Sequence, residues 1–135
     1  MIMISGIADT HTIIWYTFSD VRLSAKAKTF ISQVAATGNQ IGLSSITLVE
    51  IVYLMEKNRL LPQTYDRIIA LLDEIDGVFQ EIPLDRQVAE AMKAIDRAKV
   101  PDMPDRIIAA TAILYNVPVI SKDNKIQASS VTTIW

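Results

Sequence analysis

The chain has 135 residues, half of them apolar, with no cysteine, one histidine, and 13 basic against 15 acidic residues for a formal charge of −2. With a mean hydropathy of +0.28, this length predicts one globular domain over residues 1–135, while the missing cysteines exclude a disulfide framework and a lone imidazole excludes a zinc cluster, so any metal would be held by oxygen. No apolar run reaches the roughly eighteen residues of a membrane span, and MIMISGIAD lacks the charged start and cleavage site of a signal peptide, which makes the cytoplasm the expected location and a membrane an unexpected partner.

Ile2, Ile4, Ile7 and Ala8 read as a short buried strand running into Asp9, and Thr10 to Phe18, carrying Ile13, Ile14 and Trp15, as a helix. Ser24 is the expected N-cap of a second helix, whose Ala27, Phe30, Ile31 and Val34 follow helical spacing before Thr37-Gly38-Asn39 ends it. QIGLSS is the second strand. Thr47 is expected to open a helix reaching Leu60, with a broad apolar stripe of Leu48, Ile51, Val52, Leu54 and Met55. Pro62 begins another helix, stopped at Gly77, Val78 to Leu84 alternates as a third strand, and Asp85 to Ala98 is a fifth helix. Asp105 to Asn116 is helical and apolar over much of its surface. Val117 to Ser121 is the fourth strand, Lys122 to Ser129 a loop or short helical turn, and Val131 to Trp135 a last strand that takes the sheet to about five. Strands alternating with helices predict an α/β fold with a parallel sheet and helices on both faces. Ligands of such sheets bind beyond the carboxyl ends of the strands.

Asp9, Glu50, Asp102, Asp105 and Asp123 each fall just past a predicted strand or in the first turn of a predicted helix, and a parallel sheet gathers those places on one edge. Carboxylates brought together repel one another unless a cation lies among them. An all-oxygen set with few imidazoles suits Mg²⁺ or Mn²⁺. Each acid also has a local explanation. Asp9 is a natural N-cap, Thr47-x-x-Glu50 spells a capping box, Asp102 and Asp105 flank Pro104 as at a helix start, and Asp123 before Asn124 suits an Asx turn. The shared edge argues against capping alone, because Ser24 and Pro62 open helices with no acid. Setting the five acids aside leaves ten acids against thirteen bases, a mildly basic remainder. Arg22, Lys57, Arg59, Arg106, Lys122 and Lys125 are the candidates for a phosphate track. Ser121 either hydrogen-bonds a metal-bound water or finishes its strand. His11 reads as a packing or hydrogen-bonding residue, since no orienting partner for base catalysis is evident, and Trp15, Tyr16, Tyr53 and Met55 read as core or interface.

The segment ADTHTIIWYTFSDVRLSAKAKTFI resembles the opening of PIN-domain proteins of the toxin type in VapBC toxin–antitoxin modules, where an Asp-Thr-His, an apolar run with Trp and a later Arg-Leu-Ser recur. SSITLVEIVYLMEKNRL is similar to their second block, and DMPDRIIAATAILYNVPVISKDNKI to the third, an Asp-x-x-Asp-Arg helix followed by a strand and a closing Ser/Thr-x-Asp. The resemblance spans essentially the whole chain, with Leu60 to Val100 matching only in helical character. It implies a ribonuclease that uses Mg²⁺ or Mn²⁺ and is held inactive by a small antitoxin. Asp9, Glu50, Asp105 and Asp123 would be its acidic quartet. Asp9, Asp105 and Asp123 would hold the metal, Glu50 would orient the water or bind a second ion, and Asp102 would be a helper or a cap. Ser121 stands where Thr is commoner. The surplus of apolar positions on the helix from Thr47 to Leu60 predicts an interface, with the antitoxin docking near it and near the Trp15 helix, and a homodimer is expected. The rival expectations are a metal-dependent phosphatase, a phospho-receiver with Asp85 as acceptor, and a non-enzymatic module whose acids are only caps.

Overall fold

The computed structural model describes all 135 residues. In chain order its elements are β1 (Ile4–Ala8), α1 (Thr10–Thr17), α2 (Ala25–Ala36), β2 (Gln40–Ser44), α3 (Ser45–Glu56), α4 (Thr64–Asp73), β3 (Phe79–Ile82), α5 (Arg86–Ala91), α6 (Met103–Tyr115), β4 (Val119–Ile120), α7 (Asn124–Gln127) and β5 (Thr133–Ile134), with a 3-10 turn at Met92–Ala94. The five strands lie in the order β3-β2-β1-β4-β5, and every pair is parallel. From β1 the chain moves outward through β2 to β3, then returns to the other side of β1 for β4 and β5. The crevice outside the carboxyl ends of β1 and β4 is therefore the point where the winding reverses, the usual ligand position in an open α/β sheet.

Side chains alternate across the sheet and build two apolar layers. Ile7 and Val119 join Ile82, Val88, Ile107, Ile108 and Ile126 on one face, while Ala8 and Ile120 join Ile13, Ile31, Ile41, Leu43, Ile51 and Ile68 on the other. Burial on both faces is why the strands read as nearly continuous apolar runs. Gly42 lies between the layers, where a Cβ would run into the side chains of Ile82 and Ile7. No helix is long and apolar enough to cross a membrane.

Several boundaries differ from expectation. Helix α3 starts at Ser45, not Thr47, because pairing of Ser44 with Ile82 carries β2 that far, and the Ser44 hydroxyl then caps the helix by accepting from the Ile46 N–H at 3.2 Å. The Thr47–Glu50 capping box is consequently not formed. Helix α4 begins at Thr64 without a side-chain cap, two residues after Pro62. Helix α6 begins at Met103 on an Asp102 cap, ahead of the expected Asp105, and Asn116 closes it in the left-handed conformation at φ 55°. Helix α5 ends at Ala91, well before Ala98. There the Arg106 guanidinium draws in the carbonyls of Met92 and Ile95 at 3.1 and 3.2 Å, and the Asp96 carboxylate accepts from the Ala98 N–H at 2.8 Å, turning the chain.

Candidate active site

Asp9 directly follows β1 and is only 6% exposed. One carboxylate oxygen, Oδ1, accepts from the Thr12 N–H at 2.8 Å, so the expected cap on α1 is real. The Asp9 N–H donates to the Ile120 carbonyl at 3.2 Å and the Thr12 hydroxyl to the same oxygen at 2.7 Å. These bonds fasten the start of α1 to the end of β4 across the switch point. Asp123 follows the same logic beyond β4. Its Oδ1 accepts from the N–H groups of Lys125 at 2.7 Å and Ile126 at 3.4 Å, and the fully buried Ser121 hydroxyl accepts from its N–H at 2.9 Å. In both aspartates one oxygen caps a helix while the other is left for something outside the chain. Capping and ligation are thus not alternatives here. Ser121 finishes its strand, its N–H donating to Ile134 at 3.1 Å, and also shapes the turn that presents Asp123.

Glu50 projects from the interior of α3. The Thr10 hydroxyl donates to Glu50 Oε1 at 2.5 Å and stands 3.1 Å from the Thr47 hydroxyl. With the Thr10 proton committed to the carboxylate, Thr47 must donate to Thr10. Thr10 and Thr47 were absent from the site expected from sequence; the only signal was two hydroxyls in otherwise apolar helical stretches. Burial raises the Glu50 pKa, as do the charges of Asp102 and Asp9, while the Thr10 hydrogen bond and His11 oppose the rise.

Asp105, in the first turn of α6, is half-buried. Its carboxyl is pushed up to about 7, first by burial and then by the charges of Asp123, Asp102, Glu50 and Asp9. The fold therefore brings the other four expected acids within the field of Asp105. Asp102 is exposed and accepts from the Asp105 N–H at 3.3 Å as the cap of α6. No three of the side chains stand as a finished metal-binding group, and of the five only Asp9 and Asp123 line the cleft at this end of the sheet. An all-oxygen donor set with spare carboxylate oxygens and strong mutual repulsion nonetheless fits a hard divalent cation.

The crevice opens into a cleft of about 440 Å³ lined by Asp9, His11, Trp15, Lys122, Asp123, Asn124 and Lys125. Of the expected cationic track, Lys122 and Lys125 line this cleft. Arg22 and Arg106 are engaged otherwise. Arg22 forms a two-point ion pair with Asp20, Nε donating at 3.0 Å and Nη2 at 2.7 Å, and this pairing holds the Asp20 carboxyl down at about 2. Arg106 is half-buried, its Nη2 donating to the Met92 and Ile95 carbonyls. Lys57 lies over the Tyr53 ring at 4.9 Å, and Arg59 lines a separate hollow with Met55 and Leu61.

A doubly wound parallel sheet with acids collected at its switch point defines the class, and residues 7–130 match the PIN domain, the family to which this chain belongs. Within that class the chain is 24% identical over 136 residues to Ribonuclease VapC22 of Mycobacterium tuberculosis (strain ATCC 25618 / H37Rv), a match covering 98% of this chain and 100% of the relative. Its fold is similar to that in the crystal structure of VapBC2 from Rickettsia felis bound to a DNA fragment from their promoter, with a TM-score of 0.71 and 16% identity over 96% of this chain and 97% of that one. A toxin–antitoxin complex from Klebsiella pneumoniae matches with a TM-score of 0.63 and 24% identity, covering 97% of both chains.

Proposed function

We propose that this protein is a metal-dependent endoribonuclease, the toxin of a toxin–antitoxin pair, which hydrolyses RNA phosphodiester bonds. The observation that carries the reading is the gathering of Asp9, Glu50, Asp102 and Asp123 around the half-buried Asp105, whose carboxyl is pushed up to about 7 first by burial and then by those charges. Similarity to Ribonuclease VapC22 supports the choice of RNA. Asp9, Asp105 and Asp123 would hold Mg²⁺ or Mn²⁺. Such an ion lowers the pKa of a coordinated water and offsets charge on the phosphate and leaving oxygens. Glu50, with Oε1 occupied by the Thr10 hydroxyl, keeps Oε2 as the acceptor that orients the attacking water and takes its proton, and its burial makes it a stronger base than an exposed glutamate. Lys122 and Lys125 grip the flanking phosphates, offsetting the repulsion between the RNA backbone and the acids. Asp102 acts as the cap that sets the angle of α6.

Helix α3 leaves Val49, Val52 and Tyr53 exposed on one side, an apolar strip that suits an amphipathic antitoxin segment, and a basic side chain from that segment would compete for the acids. The complexes among the structural neighbours favour this partner. A second hollow of about 710 Å³ between α5 and α6, lined by Arg86, Ala91, Ile113 and Leu114 among others, suits a homodimer. The phospho-receiver alternative is disfavoured by position, because Asp85 follows the edge strand β3, which β2 separates from the β1–β4 switch point where the other acids gather. The test is cleavage of RNA by the purified protein. Mg²⁺ or Mn²⁺ should be required, and the product of an adjacent small gene should suppress cutting; cutting that persists in EDTA contradicts the reading.

A further inference from the structure

The cleft holds one ring for which the proposed hydrolysis has no task. His11 is exposed in the first turn of α1, where the hydrogen bonds run through its neighbours Thr10 and Thr12 instead. Its ring centroid lies 5.5 Å from that of Trp15, tilted by 44°. Trp15 is itself fixed. It is only 9% exposed, Trp135 packs at 5.6 Å, and the Arg22 guanidinium lies 5.1 Å from its ring centroid. Asp20 in turn holds Arg22 from two points. His11 thus rests on a braced aromatic support, and a ring held in place loses little freedom when a second ring stacks on it.

The same cleft is lined by Lys122 and Lys125 and by Asp9 and Asp123. Resting on the ribonuclease reading of those acids, we propose that His11, backed by Trp15, is the stacking contact for an unpaired base beside the scissile phosphate. A base inside an A-form helix has both faces covered by its neighbours, so only a single-stranded or looped nucleotide can present a face to the ring. Stacking accepts every base. The contact therefore selects for an unstacked nucleotide rather than for a sequence, and the two lysines hold the phosphates on either side of it.

The experiment uses a short fluorescein-labelled single-stranded RNA spanning a mapped cut site, and copies made abasic at each nucleotide next to the cut. Wild-type protein should bind the intact strand about tenfold more tightly than one of the abasic copies, read by anisotropy in EDTA. H11A should bind the two alike, and in cleavage with Mn²⁺ its KM should rise more than its kcat falls. H11F should restore the preference, since a phenyl ring stacks but cannot carry a proton. Retention of the tenfold preference by H11A overturns the proposal, and so does a wild type with no preference at any of these positions. Failure of wild type to cut RNA with Mn²⁺ overturns the ribonuclease reading instead, a result separable from the stacking one because anisotropy does not depend on turnover.

Discussion

Replacing Asp105 by asparagine keeps the volume of the side chain and removes its charge. In the folded protein this carboxyl titrates at about 7 rather than the ordinary 3.8. At about 1.4 kcal/mol per pH unit that rise would correspond to about 4 kcal/mol for a fully desolvated group. The side chain is only half-buried, and water screens both the burial and the neighbouring charges, so the expected effect is about 1–2 kcal/mol. Its sign follows from the direction of the shift. Below pH 3.8 both folded and unfolded wild type hold the proton, and Asp105 contributes no difference. Between 3.8 and 7 the unfolded chain releases the proton while the folded chain keeps it, which favours unfolding, and above 7 the loss is complete. Asparagine has no such dependence. In EDTA the variant should melt about 3–6 °C above wild type at pH 8, with the gap closing as the pH falls towards 4. In Mn²⁺ the order should reverse, because only wild type gains binding energy, and RNA cleavage should fall about a hundredfold or more. A variant no more stable than wild type at pH 8 in EDTA, or equally stabilised at both ends of the range, would refute the reasoning.

Thr10→Val removes the donor to Glu50 at nearly constant volume. Stability should drop by about 1–2 kcal/mol in urea melts and kcat by about tenfold with KM little changed, while Thr10→Ser should keep most of both; an unaffected kcat would mean the hydroxyl does not position Glu50. Val52→Asp alters an exposed residue of α3 that belongs to neither apolar layer. It should leave RNA cleavage and Tm nearly unchanged while weakening capture of the antitoxin about tenfold or more in surface binding, and undiminished capture would move the partner to another face.

Some of this was legible in the chain and some was not, for identifiable reasons. Asp9 and Asp123 were legible because one stands directly after an apolar strand and the other three residues past the end of one, and in a parallel sheet those positions share an edge. Asp102 and Asp105 were legible from the Pro104 between them, which marks a first helical turn. Glu50, expected in the first turn of its helix, lies in the second. Ser44, Ser45 and Thr47 offer competing caps in four residues, and only the pairing of Ser44 with Ile82 chooses among them. That choice puts Thr47 inside the helix, where it supports Thr10 instead of capping. The neighbours of Arg22 and Arg106 were not legible, because what the fold sets beside a cation, Asp20 in one case and two loop carbonyls in the other, depends on residues its own sequence context does not reveal. The early end of α5 is hidden for the same reason, since its sequence favours helix and the residue that draws the chain away lies in α6.

The central claim is that the acids at the switch point form a divalent-metal site, and calorimetric titration of Mn²⁺ into the wild-type protein at pH 7, in two buffers of different ionisation enthalpy, tests it most directly. Because the Asp105 carboxyl titrates at about 7, the account predicts saturable binding accompanied by release of about half a proton, with binding weakened and proton release lost in Asp105→Asn. Absence of binding at millimolar Mn²⁺, or binding that Asp105→Asn leaves unchanged, would contradict it.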